Sequence, residues 1–125
     1  MRKILLGFIG VFLLSTLSFA NADGIITIKS AHSVKATADR LISKLKAKGM
    51  TVFIRIDHAA GAKKVGKKLL PTELVIFGNP KVGTPLMQCN INAGIDLPQK
   101  ALIHEDSAGA VWFSYNDPKY MAKKT

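Results

Sequence analysis

The segment that decides the fold is residues 100–115, which read KALIHEDSAGAVWFSY. Two strand-like runs, residues 100–105 and 111–115, flank the turn-forming residues Asp106-Ser107-Ala108-Gly109. This pattern predicts a β-hairpin, and so short a connection makes its two strands antiparallel. The sheet is therefore expected to be mainly antiparallel.

Three more strands are predicted upstream of the hairpin. Residues 25–29 form a β-branched run, and residues 51–57 alternate, with Val52, Ile54 and Ile56 expected on one face. Residues 74–77 are four consecutive apolar residues, as in a central strand that is covered on both faces.

Two helices lie between these strands. Apolar residues recur at helical spacing through residues 34–45, after Ser33 as N-cap and before Gly49 as the C-terminal stop. Pro85, capped by Thr84, is expected to begin the second helix.

The predicted element order is β-α-β-(short helix)-β-α-β-β. The short helix falls within residues 59–70, where Gly61 and Gly66 weaken it. Five strands and two helices predict an α+β fold, with a mainly antiparallel five-stranded sheet and both helices packed on one face.

The N-terminus has the features of a signal peptide. Arg2 and Lys3 precede an uncharged stretch that extends to Ala22, and small residues near its end indicate cleavage after Ala22. Cleavage after Ala20 and an uncleaved membrane anchor are the alternatives. We therefore expect a signal peptide over residues 1–22 and a periplasmic or secreted protein.

Residues 23–125 are expected to form a single domain of 103 residues. Without Arg2 and Lys3, 16 of the 18 basic residues remain against 8 acidic ones, a net charge of +8. In an exported protein this charge favours solubility or attraction to anionic lipids and small anions over nucleic acid. The single cysteine excludes an internal disulfide.

Three segments carry a resemblance to a known family. They are residues 55–62 (RIDHAAGA), residues 71–87 (PTELVIFGNPKVGTPLM), and residues 105–106 (ED) together with residues 114–118 (SYNDP). In this order they resemble the domain-of-unknown-function family DUF302. The resemblance implies a compact α+β domain, a homodimer, and no established reaction. The sequence departs from the family pattern at Cys89 and His104, so the resemblance supports no mechanism through those side chains.

A candidate ligand site combines two strand ends. Asp57 and His58 follow one strand, while Asn79, Lys81 and Thr84 follow the next. If the two strands pair and their tips share a hollow, these groups suit a small anion or carboxylate. The alternative is structural, with Asp57 and Asn79 capping turns and His58 satisfied by a backbone carbonyl.

Two chemical alternatives remain open. An enzyme would use His58 as general base with Glu105 as its partner. A metal site would recruit His58, Met87, Cys89 and His104, since these side chains suit copper. Met87 and Cys89 are two residues apart and point to different faces of a helix, which favours core packing and a buried, inert thiol at Cys89.

A cluster of four lysines is the last candidate for an interaction surface. Lys63, Lys64, Lys67 and Lys68 indicate a solvated face, with a patch for a membrane surface or an anionic partner as the alternative. The sequence favours an exported binding or accessory domain for a small ligand over an enzyme, with no cofactor and no metal. The expected partners are a small anionic ligand and a second copy of the chain.

Overall fold

The computed structural model of this protein describes residues 19–20 and 24–123. Over these residues the chain forms six strands: β1 Phe19–Ala20, β2 Ile25–Ser30, β3 Thr51–Asp57, β4 Thr72–Gly78, β5 Gln99–Glu105 and β6 Val111–Asn116. It also forms four α-helices: α1 Val34–Ala47, α2 His58–Lys64, α3 Pro80–Cys89 and α4 Pro118–Lys123. A 3-10 helix, Ile91–Ile95, follows α3.

All strand pairs of the sheet are antiparallel, in the order β1-β2-β6-β5-β4-β3. The predicted α+β class, the five long strands and their order along the chain are confirmed. The predicted short helix after β3 is present as α2, and α4 after β6 brings the described residues to four α-helices, more than the two main helices expected.

Antiparallel pairing gives the sheet two ends with different loops. The Gly78 end is where β3 starts, β4 stops and β5 starts, with Thr51 opposite Gly78. The Asp57 end is where β3 stops and β4 starts, with Asp57 opposite Glu73. β3 spans seven residues from one end to the other, a distance of about 20 Å.

The core lies between α1 and one face of the sheet. Val34 and Ala38 of α1 pack against Val75, Ile103 and other buried side chains of the central strands. Ala38, Val75 and Ile103 have no significant solvent exposure. Ser33 caps the start of α1 as predicted, since its Oγ accepts from the Ala36 N–H at 3.1 Å.

The turn of the β5–β6 hairpin is held by one carboxylate. Asp106 accepts hydrogen bonds from the backbone N–H groups of Ala108 and Ala110, and its Oδ2 accepts from Trp112 Nε1 at 2.8 Å. These bonds, the indole bond first, hold the pKa of Asp106 below its ordinary value. Gly109 supplies the positive φ of 82° that closes the turn.

A β-bulge in β3 breaks the predicted alternation. The pairing with β4 shifts between Val52 and Ile54, so Val52 and Arg55 both face α1. Arg55 donates two parallel hydrogen bonds to Glu73, each 2.9 Å, and also pairs with Asp39 of α1. The Arg55 guanidinium is also the main reason that the pKa of Asp39 is lowered.

The start of the second long helix differs from the prediction. α3 begins at Pro80, not at Pro85, because Asn79 Oδ1 accepts from the Lys81 N–H at 3.0 Å and fixes the first turn earlier. Pro80 suits the first helical position, since its missing N–H has no partner there. Pro85 lies inside the helix.

The predicted signal peptide lies outside the described residues except at Phe19–Ala20. These two residues pair with Thr27 and Ile26 of β2 as a short edge strand. The signal peptide and its cleavage therefore stay predictions.

Replacement of a core side chain tests the packing of the sheet. We expect Ile103→Ala to lower the free energy of unfolding by about 2–5 kcal/mol, because the buried side chain leaves a cavity. Val65→Ala, at a position that is 71% exposed, should change it by less than about 0.5 kcal/mol. Urea denaturation measures both, and similar losses for the two variants would contradict this core.

Candidate functional site

The structure does not bring the five predicted ligand residues together. β3 and β4 are neighbours, as expected, but they run in opposite directions. Asp57 and His58 therefore lie at the Asp57 end, whereas Asn79, Lys81 and Thr84 lie at the Gly78 end. The predicted hollow shared by these five residues is therefore wrong, because only parallel neighbouring strands end at the same edge of a sheet.

Two of the five residues have structural roles. Asp57 Oδ1 accepts from the Ala60 N–H at 2.8 Å and caps α2, as Asn79 caps α3. This agrees with the structural alternative for both residues. The exposed side chains of His58 and Lys81 make no hydrogen bond within residues 24–123.

An apolar hollow of about 730 Å³ lies at the Gly78 end. Its walls are formed by four parts of the chain: the β4–α3 junction, the 3-10 helix with the loop that follows it, the start of β3, and α4. Its apolar lining includes three methionines and three other large side chains: Met50, Phe53, Leu86, Met87, Leu97 and Met121. Its volume falls within the range typical of small-molecule sites.

One glycine lets two walls of the hollow approach closely. A Cβ on Gly94 would meet Met87 Sδ at 3.2 Å, whereas a Cβ on Gly78 would be in ordinary contact with Phe53 and Pro98 at 3.5 Å. A Cβ on Gly83 would have Leu97 at 3.5 Å, which is ordinary contact, and would face the hollow. Larger side chains at Gly83 would therefore occupy space that is now empty.

A few polar groups line the hollow between its apolar walls. Asn79 and Thr84 are both among the lining residues, so this half of the predicted site does adjoin a cavity. The other polar side chains of the lining belong to Asn92, Asp96 and Gln99. Apolar walls with a few polar groups suit a ligand that has an apolar body.

The structure gives no support to a His58–Glu105 pair. β4 separates the strands that lead to these residues, and no hydrogen bond joins the two side chains within residues 24–123. Glu105 instead lines a shallower, polar depression of about 500 Å³ at the Asp57 end, together with His32 and Lys29. An enzyme that uses His58 stays a prediction without geometric support.

The proposed metal ligands are likewise divided between the two ends. His58 and His104 belong to the Asp57 end, and Met87 and Cys89 to the Gly78 end. Within the described part of the chain, no three His, Cys, Asp or Glu residues are grouped as metal ligands. The expected burial of Cys89 is wrong, because the thiol is exposed at the end of α3.

The sequence reasoning missed the apolar lining of the hollow. Met50, Phe53 and Met121 come from separate elements, and no local pattern predicts that they meet. One usable signal was present in residues 91–98, where Ile91, Ile95 and Leu97 make a connecting segment unusually apolar. Loops rich in large aliphatic side chains need a surface to cover.

Comparison with known proteins assigns the family. The model for "Domain of unknown function DUF302" matches residues 26–125, which is most of the chain. The chain belongs to the DUF302 family. This confirms the resemblance seen in the sequence.

A solved structure has the same fold as this DUF302 domain. It is an uncharacterized conserved DUF302 protein from Bacillus stearothermophilus, with a TM-score of 0.74 and 19% sequence identity. The match covers 82% of this chain and 80% of the other. At this identity the likeness concerns the fold alone.

Closer relatives in sequence carry a functional name. The chain is 52% identical over 102 residues to "Fluoride-specific ion channel FluC 1" of Brucella suis and of Brucella abortus, and to "FluC 2" of Brucella melitensis. The match covers 82% of this chain but only 38–40% of each relative. More than half of each relative therefore lies outside the matched DUF302 domain.

These relatives contradict the expected location. The predicted periplasmic or secreted location describes a freely exported domain, whereas the relatives are named as ion channels, which are membrane proteins. Among the helices within residues 24–123, none has the length and apolar character to cross a bilayer.

The capping role of Asn79 can be tested directly. We expect Asn79→Ala to lower the free energy of unfolding by about 1 kcal/mol, because the Lys81 N–H loses its acceptor at the start of α3. Asn79→Asp keeps an acceptor and should stay within a few tenths of a kcal/mol of wild type. Equal losses for both variants in urea denaturation would contradict a cap.

Proposed function

We propose that this DUF302 domain is a non-catalytic accessory module that works with a fluoride-specific ion channel. The observation that carries the proposal is the 52% identity to proteins with that name, over a segment that makes up only 38–40% of their length. A domain that is retained within the same polypeptide as a channel is expected to act at the same place. The channel activity itself belongs to the whole relative.

Support for binding rather than catalysis comes from how the polar side chains are used. Asp57 and Asn79 cap helices, and Arg55, Glu73 and Asp39 tie α1 to the sheet. The apolar hollow, by contrast, has the volume and lining of a binding site. We therefore place the binding activity of the module at the Gly78 end.

Two earlier expectations are kept as separate predictions. A small anionic ligand near Asn79, Lys81 and Thr84 remains a prediction, now without Asp57 and His58. The homodimer implied by the family resemblance also remains a prediction. Neither is needed for the accessory role.

Loss of the gene for this chain should lower the fluoride tolerance of its host. We expect the deletion strain to stop growing at a lower fluoride concentration than the parent, with unchanged tolerance of chloride. The full chain supplied in trans should restore growth. Equal fluoride tolerance of the parent and the deletion strain would contradict the accessory role.

Two matched variants locate the role in the hollow. Gly83→Leu places a large side chain in the hollow, whereas Gly61→Leu places the same side chain on α2, where nothing lies within 4 Å of the new Cβ. Both positions are helical, so both gain in helix propensity. We expect only Gly61→Leu to restore fluoride tolerance. Full restoration by Gly83→Leu would remove the hollow from the proposal.

A further inference from the structure

The two most exposed aliphatic side chains of the described residues, and a third exposed one, lie at the Gly78 end of the sheet. Ile95 is 84% exposed and Ile91 is 76% exposed, both on the 3-10 helix, and Val82 on α3 is 60% exposed. Single exposed aliphatic residues are normal on protein surfaces. Three of them on two successive helices at one end of the sheet are a concentration of exposed apolar surface, which we call the patch, and such surface is typical of interaction sites.

The exposed side chains continue into the interior of the hollow. Val82 and Ile95 are lining residues, and the same lining contains Met50, Met87 and Met121. Methionine is flexible and adapts to irregular apolar partners. A partner that covers Ile91 and Ile95 could therefore also place an apolar chain between the walls.

The same end of the domain carries a surplus of positive charge. Within residues 24–123, four exposed lysines stand next to or close to lining residues in the chain, namely Lys48, Lys81, Lys119 and Lys123. Of the described acidic side chains, Asp96 and Asp117 are the nearby ones, and Asp117 accepts a hydrogen bond from the Lys119 N–H at the start of α4. Lysines around an apolar patch are typical of surfaces that bind anionic membranes.

The positive charge of the Gly78 end indicates which kind of partner binds there. Two copies that met at their Gly78 ends would bring their lysines together, and like charges repel. An anionic lipid surface attracts the lysines and accepts the aliphatic side chains at the same time. We infer that the Gly78 end docks on an anionic lipid bilayer, with Ile91 and Ile95 in the headgroup layer and part of a lipid chain in the hollow.

The inference goes beyond the accessory role and does not depend on it. It rests on side chains of this chain alone, so vesicles that contain no channel are sufficient to test it. A negative vesicle result leaves the fluoride experiment unaffected, and an unchanged fluoride tolerance leaves the vesicle experiment unaffected.

The single cysteine provides a probe at the right place. Cys89 is exposed and lies two residues before Ile91, so an environment-sensitive fluorophore on this thiol reports whether the patch enters the lipid. The full chain is labelled and titrated with vesicles of phosphatidylcholine alone or with an equal part of phosphatidylglycerol. We expect a blue shift of emission only with the anionic vesicles, and weaker binding as the salt concentration rises.

A matched probe controls for other apolar segments of the chain. Val65 is 71% exposed and lies beside Lys64, after α2. In a Cys89→Ser background, Val65→Cys carries the same fluorophore among the basic cluster of residues 63–68. We expect its emission to stay unchanged with either vesicle. An equal or larger shift at Val65→Cys would overturn the inference, because binding would then involve another surface.

Two serine substitutions test the aliphatic side chains. Ile91→Ser with Ile95→Ser should lower the partition into anionic vesicles by roughly tenfold or more, because two apolar side chains no longer enter the lipid. Both positions are exposed, so circular dichroism should show an unchanged fold. Val65→Ser serves as the control and should bind as wild type does. Unchanged vesicle binding by the double variant, or no blue shift at Cys89, would overturn the inference.

Discussion

The antiparallel pairing of β3, β4 and β5 is the constraint on which the rest of the structure depends. It places consecutive strand ends at opposite edges of the sheet, so Asp57 faces Glu73 while Thr51 faces Gly78. α1 then covers one face of these strands and buries Ala38 against Val75 and Ile103. The Arg55 ion pairs with Glu73 and Asp39 fasten the helix to the sheet at the Asp57 end of that face.

The Asp57 end and the Gly78 end of the sheet therefore differ in how their side chains are used. At the Asp57 end, charged groups are used for capping and ion pairs, which stabilise the fold. At the Gly78 end, the β4–β5 connection forms α3 and the 3-10 helix, which carry the exposed side chains of Val82, Ile91 and Ile95. The binding role that we propose for the Gly78 end rests on these side chains and on the hollow beside them.

Local patterns in the sequence predicted most of the fold. Ser33 as a cap and the 106–109 turn are signals that act over a few residues, and the structure confirms both. The start of α3 was misplaced because Thr84-Pro85 and Asn79-Pro80 are both good helix starts, and position next to the end of β4 decides between them. The bulge at Phe53 was not foreseen, because it depends on pairing with β4 and on the contact between Arg55 and α1.

The candidate site was half predicted, and the error came from strand direction. Asn79 and Thr84 do adjoin the hollow, but Asp57 and His58 were joined to them although the sheet was expected to be antiparallel. The separation of the two ends depends on the direction of β3 relative to β4, and nuclear Overhauser effects in the full chain measure that direction most directly. We expect cross-strand contacts between Thr51 and Gly78 and between Asp57 and Glu73. Contacts of Asp57 with Gly78 instead would contradict the separation of the two ends.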